Sequence, residues 1–155
     1  MGFEAPPPSG RLVFASDVQA TAILPAVADD ISLPSVTIPS EAIPTGASIS
    51  RVLAAVAWRK QVNSDSSANA IVAAQNIQVR SDAPGTWRNA INVADNALET
   101  AADATEGGSM LQGDNDIKVE VVGPDTYEFQ WASAAVDAAS LTLYDVQTYL
   151  ILEYS

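Results

Sequence analysis

Apolar and polar positions alternate along much of the 155-residue chain, most cleanly near the C-terminal end. Thr126-Tyr127-Glu128-Phe129-Gln130-Trp131 sets Tyr127, Phe129 and Trp131 against polar neighbours. Successive side chains of a strand point to opposite faces, so such a run buries one face and wets the other. The run from Ile117 to Val122 has the same rhythm, with Ile117, Val119 and Val121 opposed by Lys118 and Glu120. Gly123-Pro124-Asp125 lies between the two, and the arrangement predicts an antiparallel hairpin. Leu141 to Tyr144 and Val146 to Tyr154, rich in β-branched and aromatic residues, predict further strand.

Earlier in the chain, Arg11 to Ala15 and Val18 to Leu24 read as two short strands. Ser48 to Val62 reads as a long one, with Val52, Ala54, Val56, Trp58 and Val62 on one face and Arg51, Leu53, Arg59 and Gln61 on the other. After the polar turn 63–67, Ile71 to Arg80 resumes the alternation through Ile71, Ala73, Ile77 and Val79, and a second hairpin is the simplest pairing. Trp87, Ala90, Ile91, Ala94, Leu98 and Ala101 follow helical spacing behind a capping Thr86, which predicts a short helix. Trp87, Ile91 and Val93 also fit a period of two. The stretch 101–116 reads as a loop. Seven or eight strands with at most one short helix predict an all-β chain, an antiparallel β-sandwich of jelly-roll type.

Two segments depart from the alternation. Residues 1–10 read as an extended arm ahead of a single domain, 11–155, because Pro6-Pro7-Pro8 favours a polyproline conformation without internal hydrogen bonds. From Ile31 to Gly46 an apolar-proline pair recurs every five residues: Leu33-Pro34, Ile38-Pro39 and Ile43-Pro44. Each proline removes a backbone donor and holds its predecessor extended, so the segment belongs at a sheet edge or on the surface. One reading is a loose terminus and a crossover packed on its own domain. The other is an arm and a strap pressed against another subunit, which makes Phe3, Pro6, Pro7, Pro8, Leu33, Pro34, Ile38, Pro39, Ile43 and Pro44 candidate inter-subunit contacts.

Charge and composition narrow the chemistry. Nineteen acidic residues against seven basic ones give a net charge of −12, which repels phosphate backbones and argues against nucleic acid. The longest apolar run, Val52 to Trp58, is too short to span a membrane as a helix. Without cysteine or histidine, the chain lacks a thiolate nucleophile and the commonest general base. Gly107-Gly108-Ser109 resembles half of a nucleophile elbow but has no activator. Glu120 and Glu128 are the nearest approach to a carboxylate pair, and as alternating strand positions they are expected to face solvent. Asp103, Glu106 and Gly113-Asp114-Asn115-Asp116 supply hard oxygen donors, open to turn chemistry or to calcium, although the spacing is not that of an EF-hand. Trp58, Trp87 and Trp131 sit in phase with apolar neighbours and are expected in the core rather than as a sugar platform. No catalytic, cofactor or metal residue is assigned.

Three stretches carry a resemblance: Gly113-Asp114-Asn115-Asp116-Ile117, Asp125 to Trp131, and Leu141 to Gln147. Together with Ile43 to Ile49 and Pro84-Gly85-Thr86-Trp87, they resemble small structural proteins of tailed bacteriophage virions, over residues 36 to 152. The resemblance implies a β-sandwich that coats, cements or joins virion parts as a symmetric homo-oligomer such as a trimer. The partners would be its own copies and other virion proteins such as the major capsid protein. The expectation is a non-enzymatic capsid decoration subunit located in the virion. The alternative is a receptor- or carbohydrate-binding module of a tail or fibre.

Overall fold

A computed structural model describes residues 9–82, 84–137 and 139–155. These form twelve strands and, among the described residues, no helix. In chain order the strands are β1 (Gly10–Ala15), β2 (Gln19–Leu24), β3 (Asp29–Ile38), β4 (Ile49–Val62), β5 (Ala70–Val72), β6 (Gln75–Ser81), β7 (Arg88–Val93), β8 (Glu99–Thr100), β9 (Thr105–Gln112), β10 (Asp125–Ala134), β11 (Val136–Asp137) and β12 (Leu141–Tyr154).

All pairing is antiparallel. The first sheet has the order β1-β12-β4-β9, and β2 joins β12 beyond the end of β1. The second sheet has the order β3-β10-β6-β7, and β11-β5-β8 form a small third one. Successive strands mostly change sheets, as expected of a jelly-roll-like sandwich. The inner faces interlock around two tryptophans. Trp58 on β4 and Trp131 on β10 approach from opposite sheets, with ring centroids 6.5 Å apart. Both are buried, as are Leu143, Leu150, Leu152, Ile77, Val79, Tyr127 and Phe129. Each such large apolar side chain contributes about 1.5–3 kcal/mol on leaving water.

The indole N–H groups are satisfied in place. Trp131 Nε1 donates to Gln75 Oε1 at 2.5 Å, and Trp58 Nε1 donates to Gln61 Oε1 at 2.9 Å, with Gln61 Nε2 passing on to Thr100 Oγ1 at 2.7 Å. Buried polar groups need such partners, because an unmatched one costs about 1–3 kcal/mol.

Alternation located β1, β2, β4, β10 and β12, and it placed the prolines correctly. β3 is an edge strand, and Pro34-Ser35 falls where its register against β10 slips between the Val36–Tyr127 and Leu33–Phe129 pairs. Four local expectations are corrected. Ile117 to Val122 is a turn rather than a strand. Val121 N donates to Ile117 O at 3.0 Å, so Ile117 and Val121 face inward together while Val119 stands 63% exposed. The predicted hairpins are absent, since β4 pairs with β12 and β9, while β6 pairs with β10 and β7. The predicted helix after Thr86 is strand β7. A bulge between its pairs with Ile77 and Gln78 lets Ala90 and Ile91 both face the core, which mimics helical spacing. Finally, the loop 101–116 contains β9, an exposed edge strand paired to β4 through its backbone.

Candidate interaction surfaces of the two sheets

The outward face of the first sheet is built from residues that alternate with the core. Register aligns them in rows across the strands. Val13 pairs with Ile151, which pairs with Leu53. The next row is Ala15, Tyr149, Ala55 and Gln112, and the one after runs through Gln147, Ala57 and Met110. Val13 and Met110 are each 57% exposed, and Ile23 on β2 is 53% exposed. Leu53, Ala57, Tyr149 and Ile151 are partly covered. Contiguous apolar rows on an open sheet mark places where protein surfaces meet.

Charges fringe this face at both ends. Arg11, Glu153 and Arg51 form the terminal row on one side. At the other, Arg59 is ion-paired to Asp145, and Lys60 Nζ lies 4.7 Å from the centre of the Tyr144 ring. Four of the seven cations of a strongly acidic chain therefore frame one face.

The second fringe coincides with a bend. Inward positions of β4 run 52, 54, 56, 58 and then jump to Gln61, while those of β12 run 152, 150, 148, 146 and then jump to Leu143. Both strands change phase together, with Asp145 at φ 54°. Gly108 of β9 lies beside the bend, where a Cβ would strike the carbonyl oxygen of Trp58. The expectation that Val62 is buried and Gln61 wet is reversed here, because Gln61 is 3% exposed and Val62 partly open.

The outward face of the second sheet is different in kind. Ser32, Gln130 and Gln78 lie in register, with Asn89 paired to Gln78. Gln130 Nε2 donates to Gln78 Oε1 and Gln78 Nε2 to Asn89 Oδ1, both at 2.8 Å. One row over, Arg80 Nε donates to Glu128 at 2.7 Å while its guanidinium stacks 4.2 Å from the centre of the Trp87 ring. A groove of about 370 Å³ opens beside them, lined in part by Ser32, Ser35, Trp87 and Gln130.

At one end of this face Ser81 Oγ and the Thr126 N–H bond Asp125 and hold its carboxyl below the ordinary aspartate range. Desolvation, followed by the charge of Asp125, raises that of Asp82.

The residues singled out from the sequence are dispersed. Leu33 and Ile38 are 5% and 1% exposed, so the domain's own core takes them, while Pro34 is partly covered and Pro39 exposed. Ile43 and Pro44 line a separate groove of about 570 Å³ with Ile49, Val122, Pro124 and Lys118. Phe3, Pro6, Pro7 and Pro8 lie outside the described residues.

Glu120 is not solvent-facing. Its side chain is 8% exposed and accepts the backbone N–H groups of Ser81 at 2.9 Å and Thr86 at 3.1 Å, with Arg88 at 3.5 Å. Glu128 is occupied by Arg80. The loop carboxylates cap backbone: Asp116 accepts from Val52 N and Lys118 N, and Asp114 from Asn92, which lowers the Asp114 pKa. Among the described residues no three acidic groups converge as a metal site would require. Trp58 and Trp131 are in the core as expected, but Trp87 is only partly buried.

No protein-family model and no curated protein matches this sequence. Among solved structures, a chain of the cyanophage Pam1 capsid asymmetric unit is 14% identical, with 99% of this chain and 93% of that one covered at a TM-score of 0.33. A chain of infectious bursal disease virus, Gx strain, is 11% identical over 93% of this chain with a TM-score of 0.41, and this chain spans 40% of its length. The xylan-binding module CBM15 is 14% identical, covered 93% and 97%, at a TM-score of 0.40. The neighbours thus include viral capsid structures and carbohydrate-binding modules, and at these scores they carry no argument about what this chain binds.

Proposed function

We propose that this chain is a non-catalytic structural subunit of a virus particle, a capsid decoration or cement protein that holds neighbouring subunits together by burial. The observation that carries the reading is the apolar outward face of the first sheet, fringed by Arg11, Arg51, Arg59 and Lys60 on an otherwise acidic molecule. Each square ångström of apolar surface removed from water there contributes about 25 cal/mol, and the fringe, four cations against Glu153 and Asp145, keeps a positive excess that orients acidic neighbours. The resemblance of residues 36 to 152 to tailed-phage virion proteins supports the viral assignment. The partners proposed are further copies in a symmetric oligomer and the major capsid protein. Pro39, Ile43 and Pro44 of the strap are secondary contacts, with the arm 1–10 joining them.

Sedimentation velocity tests this. The wild-type chain is expected to associate, and the Val13→Glu/Met110→Glu variant to sediment as a single chain with a melting midpoint within a few degrees of wild type. Unchanged association in that variant would remove the first-sheet face from the account.

A further inference from the structure

We propose that the outward face of the second sheet binds a neutral polysaccharide strand. The face offers what a sugar chain needs. Gln130, Gln78 and Asn89 form a continuous amide ladder, each 2.8 Å link fixing the orientation of the next side chain. Planar groups held in this way bind hydroxyls with less rotamer freedom left to lose, one of the costs that flexible polar surfaces meet on binding. Sugar hydroxyls both donate and accept, so they match amides, which do the same.

Beside the ladder stands Trp87, the one tryptophan of three that is not buried. It borders the groove of about 370 Å³, where the C–H face of a sugar ring can stack on the part of the indole left open. Arg80 braces the ring from 4.2 Å and is itself neutralised by Glu128 at 2.7 Å, so the row carries no net charge. A neutral ligand is therefore favoured over an anionic one, which the −12 chain would also repel. Three inter-strand spacings separate β3 from β7, about 14 Å in all. That span suits several linked sugar units rather than one. Among the described residues this face has no apolar row like that of the first sheet.

The test uses the full chain in native affinity electrophoresis with soluble xylan, mixed-linkage β-glucan, galactomannan and dextran, and with alginate as the anionic comparator. Tryptophan emission is followed in parallel, since Trp87 is the accessible indole. Retardation by at least one neutral polymer is expected, with a blue shift of emission. Affinity should fall at least tenfold in Trp87→Ala and in Gln130→Ala, and should be largely kept in Trp87→Phe. Equal thermal midpoints establish that the variants are folded, and if Trp87→Ala does not fold, Gln130→Ala decides alone. Retardation by none of the four neutral polymers, retardation by alginate only, or binding unchanged in Gln130→Ala would each overturn the proposal.

Discussion

The two sheets share one core and turn opposite characters to the outside. On the first, Val13, Ile151, Leu53, Ala57 and Met110 make the outward positions apolar. On the second, Gln130, Gln78, Asn89, Arg80 and Glu128 make them polar and mutually hydrogen-bonded. Folding alone requires neither arrangement, because the inner faces already bury the large side chains of both sheets. An apolar outer face is a liability for a solitary chain and an asset for one that is covered by a neighbour. A hydrogen-bonded outer face resists covering by an apolar partner, because burying it so would desolvate amides that such a partner cannot bond. On the proposed reading, protein contacts fall on one side and the other is left for a hydrated ligand.

The strongest way to break the comparison is to remove the support common to both faces. Trp131→Ala deletes a fully buried side chain at the junction of the sheets. It is expected to cost about 3–5 kcal/mol, measurable by chemical denaturation, and to abolish both activities together. A smaller change separates them. Glu120→Ala frees the turn that leads into Trp87 by removing the acceptor for Ser81 N and Thr86 N. The expected loss is about 1.5–3 kcal/mol, in line with hydrogen bonds to a charged group. Polysaccharide retardation should weaken while self-association stays intact; a matching loss of association would show the two faces to be coupled.

Smaller still is Asp145→Asn at the bend. Its ion pair with Arg59 is largely exposed, so stability should change by no more than about 1 kcal/mol. Freed of its partner, Arg59 should make association more sensitive to salt, seen by sedimentation across an ionic-strength series. An unchanged salt dependence would remove the cationic fringe from the assembly argument.

The mildest perturbation is pH. The carboxyls of Asp114 and Asp125 are lowered by the hydrogen bonds they accept from Asn92 and Ser81. The unfolded chain therefore takes up protons first as pH falls. The stability these groups contribute is complete above about 3.9, the ordinary aspartate value, and drains away as pH drops through their lower folded values. Tyr127 works at the other extreme. Burial raises its phenol pKa, so its contribution is present below about 10 and is lost as pH climbs through the folded value. Between these limits melting curves should be flat except just above the acid one, where Asp82, its carboxyl raised by desolvation, gives up a little stability as it ionises. Tyr127→Phe should flatten the alkaline arm alone, and an unaltered alkaline arm would contradict the assignment.

Much of this contrast was written in the alternation, though not its geometry. The periodicity of Thr126 to Trp131 and Ser48 to Trp58 gave the buried and outward positions directly. It failed where one residue broke the period: at Ala90, where a bulge counterfeits a helix, and at Gln61, past the bend where two strands shift phase together. Ile117 to Val122 misled because a single i to i+4 turn buries Ile117 and Val121 as a strand would, and only the fate of Val119 tells them apart. β9 was hidden because Glu106-Gly107-Gly108-Ser109 has almost no apolar signal and is held by backbone bonds to β4. The candidate surfaces were less legible still. That Val13, Ile151 and Leu53 stand in one row depends on register between segments remote in sequence. The partial exposure of Trp87 depends on Arg80 and on a turn fixed by Glu120. The strap was legible as an edge, yet its proline spacing could not show that Leu33 and Ile38 would be taken up by the core.

Hydroxyl-radical footprinting, across concentrations that span self-association, puts the two faces in one experiment. The account predicts that Met110, Val13 and Ile151 become protected as the chain associates, while Trp87 on the second sheet keeps its reactivity. Protection of Trp87 with Met110 left open would contradict it.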